Sequence, residues 1–186
     1  MTRIAIIYYS QSGNTARMAE AVFQGANSME DVQVSLITID GKDIIEGRWK
    51  NEEIMARLDA SDAIIFGTPT YMGSVSAQLK ALFDSAVGRY LEGAWKNKVA
   101  SGFTVSAAPS GDKMNALLTQ VIFSMQMGMV WVGLGNNGMN ADGINRLGIN
   151  LGATGQAHEE PLSADDLKTG EFLGKRVADF TVKLTS

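Results

Sequence analysis

Hydroxyl and amide side chains are concentrated between Ser10 and Thr15, where the sequence reads Ser-Gln-Ser-Gly-Asn-Thr. The apolar run before them, Ile4 to Tyr9, is typical of a buried strand, and the residues from Ala16 onwards are typical of an amphipathic helix. A loop in this position can direct backbone N–H groups, the positive helix end and its own hydroxyls onto one anion. We therefore predict a phosphate site, with a helix start capped by Ser12 or Asn14 as the alternative.

The loop lacks the lysine of the G-x-x-x-x-G-K-[ST] pattern, so a monophosphate suits it better than a triphosphate bound with Mg²⁺. A second glycine pattern, G-x-G-x-x-G, occurs at Gly133 to Gly138. The residues that follow it do not open a helix, which a dinucleotide site would need. We predict a flexible loop there.

Five apolar segments predict the strands that position these loops. They are Ile4–Tyr9, Val32–Ile39, Asp62–Gly67, Lys98–Ser106 and Met129–Val132, and helical patterns lie between or after them, including a short one at Glu53–Leu58 and a last one opened by Ser163 with Asp166. Alternation of strands and helices predicts one α/β domain over residues 1–186, with a doubly wound five-stranded parallel sheet and helices on both faces. Ligands of such sheets bind beyond the carboxyl ends of the strands, where three of the loops should meet.

Composition excludes several other classes of protein. The 186 residues are 45% hydrophobic with a net charge of −4 and no clustered basic face, which argues against nucleic-acid binding. The chain has no cysteine and one histidine, so disulfides, thiolate nucleophiles and a metal site are not expected. No signal peptide or membrane span is predicted, and we expect a soluble, cytoplasmic protein.

Three segments together resemble one known family. Tyr8-Tyr9-Ser10 leads into Ser12 to Thr15, Gly67 to Gly73 reads Gly-Thr-Pro-Thr-Tyr-Met-Gly, and Gly128-Met129-Val130 opens the fifth strand. Over most of its length the chain is similar to the flavodoxin-like, WrbA-like NAD(P)H:quinone oxidoreductases. The resemblance implies a flavodoxin-like fold that binds FMN.

The resemblance also implies which residues hold the cofactor. The first loop would bind the FMN phosphate, the second would pass along the isoalloxazine edge, and the third matches a family loop that is usually richer in Gly and Thr. The implied cofactor-binding residues are Ser10, Gln11, Ser12, Gly13, Asn14, Thr15, Pro69, Thr70, Tyr71, Met72, Gly73, Ser106, Ala107, Ala108, Pro109, Ser110, Gly111 and Gln126.

On the substrate side the chain departs from the family. Tyr90 stands where family members tend to place a tryptophan over the flavin of a neighbouring subunit, and Gln126-Met127 replace a histidine pair. Gln126 can donate a hydrogen bond but cannot act as an imidazole acid. Ser12, Tyr90, Gln126 and Met127 are the implied substrate-binding residues, with a helix terminus and a core filler as the alternative for the last two.

The implied activity is two-electron transfer from NADH or NADPH to a quinone through FMN, with no catalytic side chain because the flavin carries the chemistry. A homo-oligomer, either a dimer or a tetramer, is also implied. Alternatives are a one-electron carrier of the flavodoxin type and a reductase of free FMN, nitro or azo compounds. A phosphoacceptor module is disfavoured because the strands end in Ser10 and Thr68 rather than in carboxylates.

Overall fold

A central parallel sheet organises the chain in the computed structural model, which describes residues 1–139, 141–158 and 161–185. The strands are β1 (Thr2–Tyr8), β2 (Val32–Thr38), β3 (Ile44–Ile45), β4 (Arg48–Trp49), β5 (Ala63–Pro69), β6 (Val99–Ser106), β7 (Val130–Trp131) and β8 (Ala153–Gln156). The main sheet has the order β2-β1-β5-β6, followed by β7 and β8, and all its pairings are parallel. β3 and β4 form a separate antiparallel pair.

Helices cover both faces of the sheet, as predicted. They are α1 (Asn14–Asn27), α2 (Glu52–Asp59), α3 (Ala77–Ser85), α4 (Val87–Glu92), α5 (Lys113–Gln126) and α6 (Ala164–Thr185). α1 and α6 cover one face, against Ile4 and Ile6 of β1, whereas α2, α3 and α5 cover the other, against Ile7. β1 and β5 are almost completely buried, which is why they are largely apolar in sequence, whereas β2, at the edge of the sheet, is mostly half-buried or exposed.

Two short strands together fill the fifth position of the sheet. β7 pairs with Val99 and Ala100 at the start of β6, and β8 pairs with Phe103 to Ser106 at its end. The segment from residue 132 to residue 152 lies between them and contains the Gly133–Gly138 pattern. Its described residues form turns and bends rather than a helix. The sequence predicted the first half of this strand and not the second, because Ala-Thr-Gly-Gln carries no strand pattern.

α1 and α6 approach each other closely at glycine positions. A Cβ atom at Gly174 of α6 would lie 1.9 Å from the carbonyl oxygen of Val22, and one at Gly25 of α1 would lie 1.9 Å from that of Glu171. Only glycine permits this backbone contact. The two helices therefore form one rigid layer behind the first loop.

α6 begins at the predicted Ser163 and Asp166 pair, with a difference in how the pair is used. The Ser163 hydroxyl accepts the backbone N–H of Asp166 at 3.2 Å, as in a capping box. The buried Asp166 carboxylate instead accepts two hydrogen bonds from Arg146 at 2.8 Å each and one from the backbone N–H of Gln156 at 3.0 Å. It thereby ties the segment between β7 and β8 to the closing helix.

None of the helices within the described ranges is long and apolar enough to cross a lipid bilayer.

Candidate functional site

The three predicted loops, which follow β1, β5 and β6, meet at one edge of the sheet. The N–H of Tyr9, just after β1, donates to the carbonyl of Gly67 in β5 at 3.1 Å, and the N–H of Thr70, just after β5, donates to Val105 of β6 at 2.8 Å. Neighbouring parallel strands lie about 4.8 Å apart, so the three loops form a continuous rim. The chain reverses its direction of travel across the sheet between β1 and β5, which is where ligands of open α/β sheets bind.

The first loop leaves a helix N-terminus open. Gly13 has a φ of +89° and caps α1 without any side-chain hydrogen bond, and the first turn of α1 contains no acidic residue. The Ser10 hydroxyl accepts the N–H of Ala16 at 3.2 Å, while the N–H groups of Asn14 and Thr15 find no acceptor among the described residues. Free N–H groups and an uncompensated helix dipole favour a bound anion. The alternative of a cap by Ser12 or Asn14 is not what the structure has.

The second loop is a tight turn at the end of β5. Tyr71 and Ser74 exchange backbone hydrogen bonds of 3.0 Å, and Met72 and Gly73 between them have φ values of +45° and +77°. Positive φ at both central residues is the requirement of a type I′ turn. Pro69 is the buried last residue of β5, and the Met72 side chain at the tip is fully exposed.

Thr70 and Asn115 fix this turn to its neighbours. The hydroxyls of Thr70 and Thr104 lie 2.8 Å apart and share a hydrogen bond, and the Asn115 side-chain amide donates to the Gly73 carbonyl at 2.7 Å. Asn115 belongs to the first turn of α5. The second loop is therefore attached to the helix that follows the third loop.

The third loop, Ser106 to Gly111, is held from inside by Lys113. Its ammonium donates to the carbonyls of Ala108 at 2.7 Å, Pro109 at 2.9 Å and Ser110 at 3.5 Å, and its side chain is completely buried. Burial lowers the pKa of Lys113 to about 8; nearby Asp166 acts in the opposite direction and Arg146 in the same one. The Ser106 hydroxyl also donates to the Ala108 carbonyl, at 3.0 Å.

Two tyrosines flank the first two loops. The Tyr9 hydroxyl donates to the side-chain oxygen of Gln11 in the first loop, so this loop is oriented by a residue of the preceding strand end. Tyr71 is about half exposed, and burial of the remainder, together with the neighbouring Tyr9, raises its pKa. Sequence reasoning did not place Tyr9, Lys113 or Asn115 at the site. An aromatic residue directly before the hydroxyl-rich loop was the one signal available.

Tyr90, Gln126 and Met127 lie together, but at the opposite edge of the sheet. All three line a cavity of about 460 Å³ between α3, α4 and α5, together with Arg48, Lys80 and Phe123. α5 starts at the third loop and runs 14 residues to Gln126, a length of about 20 Å. A flavin held by a chain's own three loops therefore leaves Gln126 and Tyr90 out of reach. Their predicted contacts stay predictions that require the flavin of another subunit.

The residues present at the rim fit FMN. A helix start with two free N–H groups and no carboxylate suits its single phosphate, and unpaired backbone N–H groups of the other two loops suit the acceptor atoms of a flavin ring. Hydroxyls of Ser10, Ser12 and Thr15 add donors for the phosphate. No other prosthetic group is needed to account for this arrangement.

Sheet order, helices on both faces and an open helix N-terminus at the reversal point define a flavodoxin-like α/β protein. The chain belongs to the NADPH-dependent FMN reductase family, whose model matches residues 2–140. It is 36% identical to the flavodoxin, WrbA-like protein from Agrobacterium tumefaciens, whose crystal structure superposes with a TM-score of 0.78 over 98% of this chain and 99% of that one.

Two curated relatives differ in the function that they are named for. "Flavodoxin FldP" of Pseudomonas aeruginosa is 35% identical over 96% of each chain. An "NAD(P)H dehydrogenase (quinone)" of Geobacter sulfurreducens is 32% identical over 97% of this chain and 98% of the relative. These matches confirm the resemblance that the sequence indicated.

Proposed function

We propose that this protein is an FMN-dependent NAD(P)H:quinone oxidoreductase. The observation that carries the proposal is the open N-terminus of α1, which lies on the same rim as two loops with unpaired backbone donors. Membership of the FMN reductase family and the similarity to relatives named quinone dehydrogenases support it. FMN, when bound, supplies the two-electron chemistry that links a nicotinamide to a quinone.

The protein's part is to bind and orient. Hydroxyls and N–H groups from Ser10 to Thr15 hold the phosphate, with Gln11 fixed by Tyr9. The backbone N–H groups of Met72 and Gly73, and those of the third loop from Ala107 to Gly111 other than Pro109, have no acceptor among the described residues and would stabilise negative charge on the ring. The reaction needs no ionisable side chain as an acid. Substrate specificity then depends on which molecules can stack on the exposed face of the flavin ring.

The substrate side is completed by a second copy of the chain. The α5 residues Met114, Leu118, Ile122 and Met125 follow helical spacing, yet each exposes about half of its side chain. An apolar stripe of this kind marks an interaction surface. It lies beside the cavity of Tyr90 and Gln126, so a homo-oligomer formed through α5 would support the prediction that Tyr90 meets a neighbouring subunit's flavin. Gln126 ends α5 and Met127 is buried in the core, which favours the alternative of a helix terminus and a core filler for these two. A cytoplasmic location remains a prediction of the sequence.

Stopped-flow absorbance of the FMN-loaded protein without oxygen tests the activity. NADH and NADPH, added separately, should bleach the flavin within the enzyme's turnover time, and benzoquinone should restore the absorbance completely. The protein before FMN loading is the control and should leave the nicotinamide unconsumed. Flavin that stays oxidised with both nucleotides would overturn the proposal.

A one-electron carrier is the second candidate, favoured by the similarity to a relative named flavodoxin. Carriers meet their partners through strongly charged surfaces, and a net charge of −4 gives this alternative little support. A flavin that dithionite reduces while NADH and NADPH do not would identify the carrier.

A further inference from the structure

The first turn of α5 controls the shape of the third loop through a buried cation. The carbonyls of Ala108 and Pro109 accept hydrogen bonds from the Lys113 ammonium at 2.7 and 2.9 Å, and the Ser110 carbonyl, 3.5 Å from the ammonium, also accepts the backbone N–H of Lys113 at 3.2 Å. A lysine ammonium without exposed surface is costly to bury unless it is hydrogen-bonded, and these carbonyls supply its acceptors.

The direction of the carbonyls fixes the direction of the N–H groups. A trans peptide is planar, so each N–H points away from the C=O of the same peptide. The Pro109 carbonyl shares a peptide with the N–H of Ser110, and the Ser110 carbonyl shares one with the N–H of Gly111. Both N–H groups therefore point away from Lys113, and neither finds an acceptor among the described residues.

The remaining peptide of the loop follows the same logic. The Ala108 carbonyl is the shortest contact of the ammonium, and its peptide ends in Pro109, which has no N–H. Turning this peptide inward therefore removes no N–H donor from the rim. Gly111 and Asp112, with φ values of +53° and +54°, turn the chain so that α5 can begin at Lys113.

We propose that Lys113 is a positioning residue for the flavin, which holds the third loop so that the N–H groups of Ser110 and Gly111 face the cofactor. The inference rests on the proposed function, since it assigns these donors to FMN. Two charged groups act on the ammonium, Asp166 from α6 and Arg146 from the segment between β7 and β8, and they oppose each other.

Lys113→Met tests this inference, because methionine keeps an unbranched side chain one atom shorter and removes its charge. Lys175→Met, at an exposed position of α6, is the matched control. Titration followed by flavin fluorescence should give an FMN affinity at least tenfold weaker for Lys113→Met and unchanged for the control. Unchanged affinity in Lys113→Met would overturn the inference.

The pH profile separates positioning from general support of the fold. FMN affinity of the unmodified protein should fall between pH 7 and pH 9 as Lys113 loses its proton, and Lys113→Met should show a flat profile over that range. The first measurement needs no variant, so it decides the matter even if Lys113→Met does not fold. A flat profile in the unmodified protein would contradict the inference.

Backbone ¹⁵N order parameters without FMN distinguish the two proposals. Ser110 and Gly111 should have values near the rigid range, about 0.85, in the unmodified protein and below about 0.6 in Lys113→Met. An ordered loop in a protein that binds no FMN would overturn the proposed function, and with it the assignment of these donors to the flavin. A loop that is equally ordered in both proteins, beside normal FMN binding, would overturn the role of Lys113 alone.

Discussion

Asn14 is the first residue of α1, and its uncharged side chain lies beside the proposed phosphate site. Asn14→Asp adds a carboxylate of almost the same shape beside the open N–H groups. We expect the FMN affinity to fall about tenfold, or roughly 1.4 kcal/mol, because two anions then compete for one helix end. Without FMN the same change should stabilise the protein by about 0.3–1 kcal/mol through the helix dipole.

Asn27→Asp, at the last residue of the same helix, is the control. It makes the same change of charge at an exposed position far from the rim, so FMN affinity should not change. Calorimetric titration with FMN and urea unfolding of the apoprotein measure both effects. Equal FMN affinities for Asn14→Asp and the unmodified protein would exclude the first loop as the phosphate site.

Lys113 should also make folding stability depend on pH. Its pKa is about 8 in the folded protein and 10.5 when unfolded, so between these values the unfolded chain binds more protons. Stability should therefore rise with pH across this window, by at most about 3 kcal/mol, and Lys113→Met should lack the rise. Urea unfolding of both apoproteins at several pH values gives the difference, in which the shared contribution of the partly buried Lys98 cancels. A constant difference would exclude a shifted Lys113.

The hydroxyl-rich loop could be predicted from sequence, whereas the lysine beneath the third loop could not. Ser10 to Thr15 act through local features, since a strand before them and a helix after them are both visible in the sequence. Lys113 stands near other polar residues at a helix start, where a solvent-exposed ammonium is the ordinary outcome. Its burial depends on carbonyls that turn inward only in the folded loop.

At the scale of elements, the contact between α1 and α6 gives a sharp test. Gly174→Ala places a methyl group 1.9 Å from the Val22 carbonyl, so the helices must separate. We expect a loss of about 2 kcal/mol or more in the free energy of unfolding, as for other overpacked contacts. Urea unfolding measures it.

Gly88→Ala in α4 is the matched control, because a Cβ atom there meets nothing within 4 Å. Alanine is the better helix former, so this variant should be unchanged or up to about 1 kcal/mol more stable. Equal effects of the two substitutions would mean that α1 and α6 do not touch at Gly174.

Helix α5 shows where pattern reading reaches its limit. Leu118, Ile122 and Met125 mark it as a helix in the sequence, and that prediction is confirmed. The same residues are exposed, whereas Gln120 and Ser124 on the opposite side are fully buried. Periodicity locates a helix and distinguishes its two faces, but it does not reveal that the apolar face is exposed in this chain.

At the scale of the whole molecule, Ile122→Glu should break the proposed oligomer. A carboxylate in the middle of the α5 stripe cannot be buried without a partner, so light scattering after size exclusion should give a smaller mass than for the unmodified protein. FMN binding should survive, since the rim lies at the other end of α5, while quinone reduction should fall. Asn27→Asp, with the same added charge on α1, should keep the mass. An unmodified protein that is already a monomer would contradict the oligomer.

The two-part fifth strand has a consequence for how this chain can change in length. Between the partners of β7 and β8 only Ser101 and Gly102 intervene on β6, so a chain in which Ala153 directly follows Gly133 would keep the register. Although Leu134, at the start of the intervening segment, is fully buried in the core, register alone would permit removal of that segment. Removal of the segment would leave the buried Asp166 carboxylate without its ion-pair partner Arg146. Loss of the segment would therefore require a compensating change at Asp166, in the first turn of the closing helix.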